Sequence, residues 1–291
     1  MANITASMVK ELRERTGLGM MDCKKALGEA DGDMDKAIED LRKASGLKAA
    51  KKASRVAAEG IVLTKVATDG NYGVIMEVNS ETDFAARHEN FKAFADDALE
   101  QAYASEDADV QGLLDAGLEG KREALVQKIG ENINVRRVER LKFDDANKGI
   151  VDSYVHSNNR IAVLISITGG DEALARDVAM HIAAVNPMVT RAEDVPEDVL
   201  AKETEIYSAQ ARESGKPEEI IGKMIEGRLR KFVAEVSLME QPFVKDPDTT
   251  IANLLKEAGA DIVKFVRFEV GEGIEKEEID FADEVAQQAG L

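Results

Sequence analysis

The feature that most constrains the fold of this chain is an internal repeat. Residues 60–62 (Gly-Ile-Val) recur as residues 149–151, and the apolar run 74–78 recurs at 163–167, both with an offset of 89 residues and no gap. In each copy the pattern predicts a strand, a polar turn, a second strand and an amphipathic helix. A pattern that returns in full at a fixed offset indicates two related structural units.

The repeat predicts an α+β fold with two core subdomains, at residues 56–144 and 145–270. A late strand in each copy, at 135–143 and at 262–270, gives each subdomain three strands, which we expect to form an antiparallel sheet packed against helices. The chain has 291 residues, of which 44% are hydrophobic, so it can bury an ample core.

Helical segments flank and interrupt the repeat. The second copy is longer because it carries an inserted helical hairpin at about 196–236, in which Pro196 begins one helix and Gly215-Lys216-Pro217 turns the chain. The apolar stripe of the hairpin is typical of self-packing, although a protruding hairpin is also a common dimerisation device, so a homodimer stays open. Residues 271–291 are predicted to form a C-terminal helical module.

Residues 1–55 are predicted to form a separate N-terminal domain. Glycines break this segment into three short amphipathic helices, and Asp33 stands where an N-cap would satisfy the free amides of the third. A basic stretch then runs from Arg42 to Arg55 without an acidic residue, and it is consistent with a linker or with a surface helix.

Charge and composition exclude several classes of protein. Asp and Glu outnumber Lys and Arg by 56 to 38, and the formal net charge of −18 would repel a phosphate backbone. No apolar run approaches the roughly 20 residues of a membrane span, and the chain begins without a recognisable signal or transit peptide, so we expect a cytoplasmic protein. The one cysteine, Cys23, is interpreted as a small helix residue.

The sequence contains no recognisable catalytic constellation, phosphate-binding loop or metal motif. Its three histidines, His88, His156 and His181, fall in different predicted elements, and His181 is most simply a helix residue. The acidic pairs at 96–97 and 144–145 are interpreted as solvated positions. We therefore expect no enzyme activity, no cofactor, no metal and no direct nucleotide binding.

A polar loop with an aromatic residue follows the apolar strand 74–78. Thr82, Asp83 and Phe84 together offer a hydrogen-bonding group, a charge and an apolar wedge, which suits docking onto another protein. From residue types alone, the favoured alternative is that Phe84 folds back as the first core residue of the next helix.

Four strings resemble the elongation factor Ts family. Residues 79–87 (Asn-Ser-Glu-Thr-Asp-Phe-Ala-Ala-Arg) are similar to its Thr-Asp-Phe signature, and residues 12–27 to its opening motif. Residues 241–244 (Gln-Pro-Phe-Val) and 268–273 (Phe-Glu-Val-Gly-Glu-Gly) extend the resemblance to the C-terminus. The chain departs from the pattern at Ala85, where Val is frequent, and at Leu18 between two glycines.

The resemblance implies a guanine nucleotide exchange factor for the GTPase elongation factor Tu, with an N-terminal module of the ubiquitin-associated type. A ribosome- or RNA-associated adaptor is the alternative, because of the basic stretch, although the net charge opposes it.

The resemblance also assigns roles to individual residues. It implies that the Thr82-Asp83-Phe84 loop meets the GTPase domain, with Phe84 wedged between two helices. It further implies that Met20 and Met21 contact the same domain and that His156 contacts the C-terminal barrel domains. Packing inside the helical module is an equally good interpretation for at least one of the two methionines.

Overall fold

The computed structural model describes residues 4–16, 18–143, 148–213 and 217–275. Several predictions fall outside these residues: the acidic pair at 144–145, the turn residues Gly215 and Lys216, and the C-terminal helix beyond Glu275. Within the described part of the chain, no helix is both long enough and apolar enough to cross a membrane. The chain divides into two compact units, residues 1–61, 77–137 and 269–291 in the first and residues 62–76 and 138–268 in the second.

The N-terminal residues form three helices, α1 (Ala6–Thr16), α2 (Met20–Glu29) and α3 (Met34–Lys52). Their core contains Leu12, Leu27 and Cys23, which is fully buried and so agrees with its interpretation as a small helix residue. The Asp33 carboxylate accepts a hydrogen bond from the Lys36 amide at 3.0 Å, which confirms the predicted N-cap. Most of the basic stretch belongs to α3, so the surface-helix alternative describes it better than a linker.

Each copy of the repeat builds its own three-stranded sheet, and the two sheets have the same strand order. Strands β1 (Glu59–Val66), β2 (Tyr72–Ser80) and β3 (Ile133–Lys142) form one three-stranded sheet in the order β1-β2-β3. Strands β4 (Ile150–Val155) and β5 (Ile161–Thr168) form the second with β8 (Asp261–Glu269), in the order β4-β5-β8. The predicted antiparallel three-stranded sheets are confirmed, and each late strand begins one or two residues earlier than predicted.

Hydrogen bonds inside the second compact unit show that equivalent residues of the repeat face each other. The Val62 amide donates to the Asn159 carbonyl at 2.8 Å, and the Val151 amide donates to the Gly70 carbonyl at 2.6 Å. The two bonds are equivalent, because Val62 and Val151 are 89 residues apart and so are Gly70 and Asn159. The equivalent hydroxyls of Thr64 and Ser153, 89 residues apart, are 2.9 Å from each other. Residues 62–70 and 151–159 are therefore related by a local two-fold axis.

Among the remaining helices, α8 (Glu172–Val185) packs on β4 and β5, and two others form the insertion. The predicted hairpin is present as α9 (Glu197–Glu213) and α10 (Glu218–Val236), and Pro196 immediately precedes it. Its helices pack on each other, since Arg228 donates to Gln210 at 2.6 Å and lies 5.8 Å from the Tyr207 ring centre. The other elements are α4 (Asp83–Arg87), α5 (Glu89–Ala104), α6 (Val110–Leu113), α7 (Glu119–Ile129), α8 (Glu172–Val185), β6 (Pro242–Phe243), β7 (Asp246–Thr250) and α11 (Ile251–Glu257). The domain boundaries at residues 55, 144 and 270 stay a prediction.

Candidate docking site

Phe84 lies on a short, exposed helix directly after a buried strand. Strand β2 is buried along its whole length, and the chain then turns at Thr82 into α4. Ala85 and Ala86 face the interior, whereas 79% of the Phe84 surface is exposed. The interpretation of Phe84 as a core residue is wrong, because the two small alanines fill the inner face of this single helical turn.

Thr82 fixes the geometry of the loop. Its hydroxyl accepts from the Ala85 amide at 3.2 Å and donates to the Glu131 carboxylate at 2.7 Å. Its amide donates to the other Glu131 oxygen at 2.9 Å, and its carbonyl accepts from the Ser80 hydroxyl at 2.9 Å. Since every polar group of Thr82 is engaged within the chain, the part of this side chain left for a partner is its methyl group.

Asp83 has an internal partner as well. Its carboxylate lies 2.7 Å from the Arg87 guanidinium, one turn further along α4. The pair stabilises the helix, because an acidic residue in the first turn and a basic residue in the last turn both interact favourably with the helix dipole. The tip therefore presents an apolar ring beside a compensated ion pair rather than a lone carboxylate.

A second set of contacts fastens this loop to the end of α3. Glu81 accepts from the Asn132 amide at 2.6 Å and lies 3.4 Å from the Arg55 guanidinium. The Asn132 side chain donates to the Arg55 carbonyl at 2.8 Å. Residues 131–132, the Phe84 loop and the end of α3 thus form one hydrogen-bonded cluster.

Glu77 is a buried carboxylate whose importance sequence reasoning missed. It is fully buried in β2 and accepts from Asn79 at 2.9 Å, Arg136 at 3.1 Å, Arg137 at 2.5 Å and the Gly271 amide at 2.8 Å. Burial alone would raise the pKa of this carboxyl, but the Gly271 amide, Asn79 and Arg137 together hold the pKa below its ordinary value. The signal was available, because a charged residue inside an apolar strand needs buried partners.

Met20 and Met21 lie at the start of α2 and are 60% and 76% exposed. The interpretation that they pack the helical module is therefore wrong for both. Met20 lines a cavity of about 420 Å³ together with Gln127 and Lys128 of α7. Since Glu131 follows α7 and binds Thr82, the same end of this helix is near both Met20 and the Phe84 loop.

Leu47 is an exposed side chain that sequence reasoning did not single out. It is 67% exposed on α3. It lies one turn from Lys43 and one turn from Lys51, so that an apolar spot lies between two basic residues on the outer face of the helix. The regular spacing of these three residues would have been a usable signal.

His156 lies in the second compact unit, at the turn between β4 and β5. It is exposed, and its Nδ1 atom is 2.9 Å from the Asn158 side-chain oxygen. The same oxygen accepts from the Arg160 amide at 3.0 Å, so Nδ1 is the donor of this hydrogen bond. Thr82, Asp83, Phe84, Met20 and Met21 all belong to the first unit.

His181 is a residue of α8, as the sequence suggested, and it is fully buried and organises the motif at 241–244. Its Nδ1 atom accepts from the Val244 amide at 3.3 Å, so Nε2 carries the proton and donates to the Gln241 side chain at 3.0 Å. The Phe243 ring lies 6.1 Å away. Burial lowers the pKa of His181, and the hydrogen bond with Gln241 opposes part of this effect.

The described residues offer little for chemistry on a small molecule. They contain no group of three or more His, Cys, Asp or Glu placed to hold a metal ion. Of the acidic pair at 96–97, Asp97 is engaged by Lys121 at 2.7 Å. By architecture this is an α+β protein with large apolar side chains exposed on anchored segments, which favours a role in binding another protein.

Comparison with known proteins identifies the family. The family model described as Elongation factor TS matches residues 81–272. Elongation factor Ts of Hahella chejuensis is 63% identical over 288 residues, which is 99% of each chain. The Teredinibacter turnerae protein of that name is 62% identical over 286 residues, 98% of this chain and 97% of the relative. The chain belongs to the elongation factor Ts family, and it is therefore a factor of translation elongation.

Proposed function

We propose that this protein is a guanine nucleotide exchange factor that binds elongation factor Tu in its GDP-bound form and promotes release of GDP. The observation that carries the proposal is the 79% exposure of Phe84 on a loop whose backbone is held by hydrogen bonds. An aromatic residue left in water costs free energy unless a partner buries it. Membership of the family supports elongation factor Tu as that partner.

Exchange requires that the factor disturb the site that holds GDP. A GTPase holds its nucleotide through a phosphate-binding loop and a magnesium ion. Phe84 enters between two helices of the GTPase domain and shifts the backbone near that site. Burial of its ring supplies about 1.5–3 kcal/mol, and its two side-chain torsions cost little entropy to order. The factor stabilises the nucleotide-free GTPase, and the concentration of GTP decides what binds next.

Further contacts supply the rest of the free energy. Met20 and Met21 bind the GTPase domain, because exposed methionines adapt to an apolar surface. His156 binds the C-terminal barrel domains from its exposed position at the turn between β4 and β5. Several separate contacts are needed, because displacement of a tightly held nucleotide takes several kcal/mol of opposing binding free energy.

The chain itself has no catalytic role, and it holds no nucleotide, metal, nucleic acid or membrane of its own. It acts in the cytoplasm, where translation occurs. The α9–α10 hairpin offers a route to a homodimer, which would give a complex of two factors with two GTPases. Measurement of the mass of the complex in solution, with and without residues 197–236, tests this arrangement.

Release of a fluorescent GDP analogue from elongation factor Tu, followed by stopped flow, tests the function. We expect the parent protein to accelerate release and Phe84→Ala to lose about ten-fold or more of that effect at sub-saturating factor. Val263→Ala is the matched control, because Val263 is an exposed apolar residue (56%) in the other compact unit. Equal acceleration by all three proteins would refute the role of Phe84, and no acceleration by the parent would refute the function.

A further inference from the structure

We propose that Glu131 is a positioning residue for Phe84, an inference that rests on the proposed exchange function. Both carboxylate oxygens of Glu131 accept hydrogen bonds from one residue, Thr82, through its hydroxyl at 2.7 Å and its amide at 2.9 Å. Two bonds to a single residue fix the orientation of that residue as well as its position. Thr82 is the N-cap of α4 and lies two residues before Phe84.

The backbone that carries Glu131 is itself constrained. Helix α7 ends at Ile129, and the next residue, Gly130, adopts the left-handed conformation at φ +89°. The Gly130 carbonyl accepts from Lys52 at the end of α3, and the next residue, Asn132, is buried and hydrogen-bonded to Glu81 and Arg55. Glu131 therefore extends from a fixed turn toward the loop.

The contact also joins two parts of the candidate site. Met20 lines the same cavity as Gln127 and Lys128 near the end of α7. Glu131 follows this end and holds the Phe84 loop. A change at Glu131 therefore alters the position of Phe84 relative to Met20, whereas a change at Phe84 alters only the ring that is presented.

If Glu131 positions Phe84, its substitution should affect GDP release more than it affects the stability of the fold. Glu131 and Thr82 are both at least partly exposed, so water can replace their hydrogen bonds when one partner is changed, and the stability of the fold depends little on them. Docking, in contrast, requires that the ring be held in one orientation before contact, because ordering a mobile loop reduces affinity.

Glu131→Gln tests the proposal, because glutamine has the same size but a single acceptor oxygen. We expect GDP release promoted by the variant to be about ten-fold slower, because docking must then order the loop, with an unchanged midpoint of thermal unfolding. The matched control is Glu89→Gln, which removes the same charge in the first turn of α5. We expect it to retain the parental rate.

A second arm shows whether Glu131 acts through Phe84. In a Phe84→Ala background, Glu131→Gln should cause no further loss, because there is no ring left to position. A ten-fold loss that persists in that background would overturn the proposal. So would a parental rate for Glu131→Gln alone.

Amide hydrogen exchange of the free protein separates this inference from the proposed function. The Ala85 and Thr82 amides should exchange at least about five-fold faster in Glu131→Gln and at the parental rate in Glu89→Gln. If the parent fails to promote GDP release, the nucleotide-exchange function is refuted. The hydrogen-exchange rates of the two amides still show whether Glu131 holds the loop. Unchanged amide exchange in Glu131→Gln would overturn the positioning role.

Discussion

Loss of the Glu77 carboxylate should destabilise the protein strongly. In Glu77→Ala, the Gly271 amide loses its acceptor, and the side chains of Asn79, Arg136 and Arg137 each lose one of theirs. Asn79 keeps its hydrogen bond to the Glu59 carbonyl at 3.1 Å. The two arginines are partly exposed and can turn toward water, but Asn79 is 1% exposed and the carboxylate position is fully buried. Removal of one partner from a buried charged network costs about 3–5 kcal/mol.

The assay is urea unfolding followed by circular dichroism, with two companion variants. Glu77→Gln keeps the size and one acceptor, so we expect it to lose about 1.5–3 kcal/mol. Glu272→Gln removes the charge of a half-exposed carboxylate 3.3 Å from Arg137, and it should cost about 1 kcal/mol or less. A loss in Glu77→Ala no larger than that in Glu272→Gln would refute this account of the network.

The same carboxylate makes stability depend on pH. Because the pKa of Glu77 is lowered in the folded protein, its contribution is fully present above the ordinary value near 4.3 and is lost as pH falls through the lower folded-state value. Glu77→Gln should therefore show a smaller loss of stability in this acidic range than the parent does. An identical acid profile for both proteins would contradict the assignment.

Two further predictions concern His181 and the end of α7. Because burial lowers the pKa of His181, stability should fall as pH decreases from about 6.5 toward the folded-state value, since a proton on Nδ1 would face the Val244 amide. Thermal unfolding between pH 5 and 7.5 measures this fall, and an equal fall in His181→Gln would contradict it. Gly130→Ala should cost about 1–2 kcal/mol in urea unfolding because of its positive φ, whereas Gly227→Ala in α10 should stabilise by about 0.5–1 kcal/mol. Equal effects of the two substitutions would show that the positive φ of Gly130 is not the cause of the loss of stability.

The regular parts of the fold could be predicted because local patterns specify them. The offset of 89 residues requires both halves to have the same order of strands, and the orders β1-β2-β3 and β4-β5-β8 agree with it. Asp33 caps α3, and Pro196 precedes the hairpin, through short-range backbone chemistry that sequence spacing shows directly.

The geometry of the candidate site could not be predicted in the same way, because it depends on contacts between distant residues. Thr82 binds Glu131, 49 residues away, and Glu77 binds Gly271, 194 residues away. The direction of Phe84 was also open, because one helical turn is too short for hydrophobic periodicity to decide which side is buried. The role of the site in exchange came from the family resemblance, which local physics alone does not supply.

The dissociation constant of GDP tests most directly whether this protein stabilises the nucleotide-free form of elongation factor Tu, as proposed. We would measure that constant by equilibrium titration with and without saturating factor, and the affinity of the factor for the GTPase with and without saturating GDP. Thermodynamic linkage predicts that each ligand weakens the other by the same factor. A GDP dissociation constant that the factor leaves unchanged would contradict the account.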